Sequence, residues 1–156
     1  MPRHRLMALL LSGLALAGPV RAEDIVIIAH PSVALTRSIG VGEVAAIYLL
    51  RTTVWPDGHP IVPVNREIAS DLRRKFTTLV LRQDPGSLAA YWNEMHFRGK
   101  FPPLVQESEQ SVLAFVERVP GAVGYVSGGI PLPADVHVVA RVTVPDGWSP
   151  NNGGPP

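Results

Sequence analysis

Arg66, Ser70, Asp71 and Arg73 are the residues whose types and spacing suit recognition chemistry, and that chemistry is the holding of an anion. Ser70 stands where an N-cap belongs, just before a run in which Leu72, Phe76, Leu79 and Val80 share one helical face. A helix start leaves backbone N–H groups unpaired and carries partial positive charge, so it can receive an anion. Arg66 precedes that start by four residues. Arg73 and Arg74 fall in the first turn, the end of the helix dipole that disfavours cations. A bound anion would remove that penalty. Ser70-Asp71 also reads as an ordinary helix start beside exposed arginines, so the stretch has to be judged in context.

Other chemistries find less support. Beyond the N-terminal region the histidines are His30, His59, His96 and His137, with no two spaced one helical turn apart as a zinc site would want. The sequence has no cysteine, which removes disulfides, thiolate metal sites and a lipoprotein anchor. There is no Gly-x-Ser-x-Gly elbow; Val126-Ser127-Gly128-Gly129 lacks the first glycine. Asp57 is a turn residue and Glu94 a helix-surface charge rather than a catalytic pair. The reading is recognition without catalysis, with no metal and no cofactor.

The elements that must position the four residues follow from the order of the chain. Arg3 and Arg5 precede an apolar run from Leu6 to Ala17, and Val20-Arg21-Ala22 offers a peptidase site, so residues 1–22 read as a signal peptide cleaved after Ala22. The run is short for a membrane span and nothing later replaces it, so an exported, periplasmic protein without a transmembrane segment is expected. Removing 22 of the 156 residues leaves 134, enough for one domain with a real core. Three arginines leave with the signal, so 11 Lys+Arg face 13 Asp+Glu, a formal net charge of −2. That balance argues against nucleic acid as a partner.

Ile25-Val26-Ile27-Ile28 is a β-branched run expected to be a buried strand. A helix follows from Gly42, with Val44, Ile47 and Tyr48 at helical spacing, then the turn Trp55-Pro56-Asp57-Gly58. Ile61 to Val64 reads as a strand leading through a polar turn into the helix begun at Ser70. Asp84-Pro85-Gly86-Ser87 starts another helix with Leu88, Tyr91, Trp92 and Met95 inward. Phe101-Pro102-Pro103 reads as a stiff loop. Ser108 opens a helix stopped at Pro120-Gly121; Ala122 to Val126 and Val136 to Val144 are the last strands, and residues 148–156 read as a disordered tail after a domain over 23–147. Alternating strands and helices predict an α/β lobe in three layers with a mixed or mostly parallel central sheet. Ligands of such sheets sit at the carboxyl ends of strands, where Arg66 and Ser70 fall.

Four segments in order resemble the phosphate-type periplasmic substrate-binding proteins. Ile47-Tyr48-Leu49 with Trp55-Pro56-Asp57-Gly58 looks like their IF-L-G-K … W-x-D-G segment, and Pro63-Val64-Asn65-Arg66 with Ser70 and Phe76 like their strand–arginine–serine–helix segment. Tyr91-Trp92 with Phe97-Arg98-Gly99-Lys100 and Pro102-Pro103 is similar to a further stretch, and Val119-Pro120-Gly121-Ala122-Val123-Gly124-Tyr125-Val126 matches V-x-x-x-P-G-A-I-G-Y-V. The resemblance implies the type II binding-protein fold, here in the compact group with essentially one lobe. It implies a small anion, phosphate first, as ligand, and an ABC-type transporter or a sensor as partner.

The family's phosphate loop, Arg-Ser-Asp-Gly-Ser-Gly-Thr, places its arginine on Arg66 and its second serine on Ser70. Ile68 stands for its aspartate, Asp71 for its second glycine and Leu72 for its threonine. An acidic Asp71 beside the amides repels a dianion, and Leu72 offers no hydroxyl. Without a second lobe the site stays wet and its charge-assisted contacts are screened. Two readings follow: an anion-binding module using Arg66, Ser70, the helix amides and Arg73, or a protein-interaction module that kept the fold and lost the ligand. Trp55, Trp92 and Tyr125 would be aromatic anchors for the second, although Trp92 and Tyr125 sit on apolar faces that suit the core. A homodimer would restore a two-lobed site. Open amides in the loop Arg66 to Leu72 favour the first reading; amides capped by Asp71 favour the second.

Overall fold

A computed structural model describes residues 18–151. The apolar run of the expected signal peptide, and residues 152–156 of the expected tail, lie outside the described residues. The tail region starts with Trp148, which packs half-buried against the core.

Strand β1 (Ile25–Ala29) is buried along its whole length, as its unbroken apolar run requires. It lies between β4 (Ala122–Ser127) and β5 (His137–Val142) and runs antiparallel to both. On the other side of β4 comes β2 (Val62–Arg66), then β3 (Leu104–Gln106), each pair parallel, giving the order β3-β2-β4-β1-β5. The sheet is mixed, with β1 the strand that runs against the other four. Strand β3 has no counterpart among the expected elements, which hold only a stiff loop up to Pro103; three residues after two prolines carry no strand periodicity.

Helices cover both faces. Helices α1 (Val41–Tyr48), α2 (Asp71–Leu79) and α3 (Pro85–Phe97) pack on one side, where Tyr48, Phe76 and Leu88 meet Ile25, Ile27 and Tyr125. Helix α4 (Glu109–Arg118) packs on the other, where Val112 and Val116 meet Val26, Ile28, Val64 and Val126. Alternation along β4 sends Val123 and Tyr125 to the first cluster and Ala122 and Val126 to the second.

Gly124 lies on the α4 side of β4, and its missing side chain sets how closely the helix approaches. A Cβ there would stand 2.6 Å from Val112 Cγ1, 3.0 Å from Val64 Cγ1 and 3.1 Å from Val116 Cγ2. These valines are stiff at χ1 and cannot swing aside cheaply. Gly124→Ala is therefore expected to destabilise the fold by about 1–3 kcal/mol, as overpacked core sites do. Urea unfolding checks this; an unchanged midpoint would show that the sheet–helix contact is loose.

Candidate functional site

The site is built at the carboxyl end of β2. Arg66 is the last residue of that strand, two residues further than the strand end expected at Val64. Two interactions draw it in: it pairs with Gln106 of β3, and the Glu67 N–H donates to the Gln106 carbonyl at 3.2 Å. Its own N–H donates to Asn65 Oδ1 at 3.0 Å and to the Tyr125 hydroxyl at 3.2 Å.

Beneath lies a buried polar and aromatic layer. The Tyr125 hydroxyl donates to Asn65 Oδ1, and the Tyr48 hydroxyl to the Val64 carbonyl at 3.0 Å. The Phe76 and Tyr125 rings stack with centroids 3.9 Å apart, and Tyr48 meets Phe76 edge-on at 4.6 Å. Burial pushes the Tyr125 phenol up to about 12, against the opposing pull of the Arg73 and Arg66 charges, and raises Tyr48 well above its ordinary value. Both phenols are neutral donors at pH 7 and hold the strand end in place.

The Arg66 guanidinium is the anomaly. The residue is only 9% exposed, and its Nε and Nη1 atoms have no hydrogen-bond partner among the described residues. Its nearest carboxylate oxygen is Glu67 Oε1, 4.0 Å from Nη2, beyond hydrogen-bond reach. A buried cation left so is costly unless something negative joins it.

The loop after Arg66 leads into α2. Ser70 is the N-cap, its Oγ accepting from the Arg73 N–H at 3.3 Å. Asp71 does not cap the helix; its carboxylate pairs with Arg74 and is largely solvated. The Asp71 and Leu72 N–H groups, at the helix start, have no acceptor among the described residues. Arg73 Nη1 donates to the Arg66 carbonyl at 2.7 Å, and Arg74 Nη1 to the Ala69 carbonyl at 3.0 Å. Thus Ser70, Arg73 and the first turn of α2 meet the Arg66 backbone carbonyl, while the Arg66 side chain follows Val62 and Val64 toward the α4 face of the sheet and the Asp71 carboxylate pairs with Arg74.

Two of the candidate anchors belong to the core, Tyr125 as its apolar face suggested and Trp55 from a turn. Tyr125 is fully buried, and Trp55 is buried with its Nε1 donating to the Gly121 carbonyl at 2.9 Å. Trp92 is half-buried on α3. Asn65 and Tyr125, which fix the strand end, escape a reading by local motif because they sit 60 residues apart. Among the described residues no group of three His, Asp or Glu side chains could hold a metal ion.

The sequence matches no protein-family model and no curated protein. Solved structures do share the fold. An ABC-type phosphate transport receptor from Vibrio cholerae superposes with a TM-score of 0.57 at 19% identity, over 74% of this chain and 44% of that one. A putative phosphate ABC transporter substrate-binding protein from Clostridium perfringens, solved with bound phosphate, gives 0.60 at 21% identity, over 77% and 46%. The chain spans less than half the length of either. Its fold is that of a type II periplasmic binding-protein lobe.

Proposed function

We propose that this chain, with the fold of one type II periplasmic binding-protein lobe, is an exported solute-binding protein that recognises a small anion, phosphate first, for an ABC-type uptake or sensing system. The observation that carries the reading is the buried Arg66 guanidinium, two of whose nitrogens lack a partner among the described residues, at the carboxyl end of β2. Arg66 supplies charge at the strand end; Ser70 caps α2 and shapes the loop with Asp71; Arg73 ties the Arg66 carbonyl to the start of α2 and adds a second positive charge. The likeness to phosphate receptors supports the same ligand class. In this reading residues 1–22 direct the chain to the periplasm, and a membrane transporter, a sensor or a second copy covers the open side of the lobe.

A second reading, a protein-interaction module, draws on a different surface. Phe97, Phe101, Leu104 and Val105 are all exposed around the edge strand β3, and apolar exposure at a sheet edge suits a protein partner.

Isothermal titration of the chain from Glu23 with phosphate, with sulfate as control, separates the two. Saturable heat with phosphate is expected, and Arg66→Ala should weaken it about 10- to 100-fold, the worth of hydrogen bonds to a charged group. No heat up to millimolar phosphate would sink the anion reading and leave the β3 edge as the functional surface.

A further inference from the structure

Helices α2 and α3 flank a groove of about 400 Å³, a size within the range of small-molecule sites. Pro85, Leu88, Ala89 and Trp92 form one stripe of α3 at helical spacing and make its apolar wall, with Thr77 of α2 opposite. The Thr77 hydroxyl is already committed, donating to the Arg73 carbonyl at 2.9 Å. Trp92 is held edge-on against Tyr91 with ring centroids 5.1 Å apart, and the Tyr91 hydroxyl donates to the Leu49 carbonyl at 2.5 Å. The wall is thus set before any ligand arrives, which lowers the ordering cost of binding. Ile68, 80% exposed in the loop before α2, also lines the groove and adds apolar surface that a ligand would take out of water.

Unbalanced charge in this lining is carried by Arg73. Its neighbour Arg74 pairs with Asp71. Asp84 accepts from the Ser87 hydroxyl at 2.6 Å and from the Ser87 and Gly86 N–H groups at 3.0 Å each, which hold its carboxyl below the usual pKa. Arg73 pairs with no carboxylate among the described residues; its Nη1 donates to the neutral Arg66 carbonyl at 2.7 Å. That bond restrains the guanidinium, and a planar fork so restrained suits a carboxylate. The Asp71 and Asp84 carboxylates in the same neighbourhood disfavour a dianion more than a monoanion.

We infer that this groove is a binding site of its own for a monocarboxylate with an apolar ring or chain, its carboxylate on Arg73 and its apolar part against Leu88, Ala89 and Trp92. The Arg66 guanidinium takes no part, since it follows Val62 and Val64 to the α4 face of the sheet. Binding here is therefore independent of the phosphate reading.

Phenylbutyrate, its neutral analogue phenylbutanol, and acetate are the probes, each titrated calorimetrically into the chain. The acid is expected to bind about tenfold tighter than the alcohol, the low end of the worth of a hydrogen bond to a charged group at a partly buried arginine. Acetate, with no apolar part, should give no heat at millimolar concentration. Arg73→Gln should bring the acid down to the alcohol's affinity and leave the alcohol unchanged. Ala89→Trp, at an exposed position of α3, should fill the groove and weaken both about tenfold. Arg66→Met should leave the acid's affinity as it is. Equal affinity of acid and alcohol for the wild-type chain would overturn the carboxylate assignment. Binding of both that survives Ala89→Trp would overturn the location, and loss of the acid in Arg66→Met would move its head to Arg66 with the same consequence. No heat from the acid at millimolar concentration would end the inference and leave the phosphate reading standing.

Discussion

Gly121→Ala is expected to cost about 3 kcal/mol of stability and about 10 °C in Tm. Two causes add. Gly121 has φ of +78°, a conformation costing an L-residue about 1–2 kcal/mol. A Cβ there would also lie 2.3 Å from the Pro60 carbonyl oxygen, a backbone atom that cannot move alone. The position is tied on both sides: the Gly121 carbonyl accepts from the Val62 N–H at 3.1 Å and from Trp55 Nε1, and its N–H donates to Ser32 Oγ at 3.2 Å. Any shift that relieves the clash strains those bonds and the entry into β2. Gly58→Ala is the control, because Gly58 has φ of +86° with nothing within 4 Å of the added methyl. It should lose only the conformational part, about 1 kcal/mol. Equal losses at the two positions in urea unfolding would show that the Pro60 contact contributes nothing.

The two glycines of the Pro120-to-Val126 stretch thus have separate structural causes, a positive φ at Gly121 and helix approach at Gly124. Both demands fall within four consecutive residues, which makes the stretch legible as a motif from the sequence alone. Local pattern also reveals β1, the amphipathic face of α2 and the Ser70 cap, because each depends on residues within a few positions of one another. What the sequence conceals depends on distant contacts. Arg66 reads as a loop residue until Gln106 and Tyr125 extend β2 to include it, and the Tyr125 partner lies 59 residues away. Trp55 reads as an exposed turn residue until its indole meets the Gly121 carbonyl, 66 residues on. As side chains, Asp71 and Leu72 look damaging to an anion site. In the structure the Asp71 carboxylate faces Arg74, and both positions present their backbone N–H groups at the helix start.

Arg66→Met should raise stability in anion-free buffer by about 1–3 kcal/mol and weaken the response to phosphate about 10- to 100-fold, as loss of the same group does in Arg66→Ala. Methionine keeps an unbranched apolar stem of similar reach, so the packing around β2 is retained while the guanidinium is removed. The gain comes from relieving a cation that is 9% exposed and has two nitrogens without partners among the described residues. Glu67 does little to compensate it, standing 4.0 Å away with about half its side chain in water. Adding phosphate stabilises only a chain that binds it, and a hundredfold excess over Kd is worth about 2.7 kcal/mol. The wild-type chain should therefore draw level with, or pass, the variant as phosphate rises, while the variant's unfolding midpoint moves only at about 10- to 100-fold higher phosphate. Urea titrations at several phosphate concentrations, with sulfate in parallel at equal ionic strength, would trace that crossing. A variant less stable than wild type without anion would mean that the guanidinium holds the fold together by itself. A residue retained at a cost to the empty fold, and repaid only when an anion arrives, is what a binding site predicts and what a purely structural arginine does not.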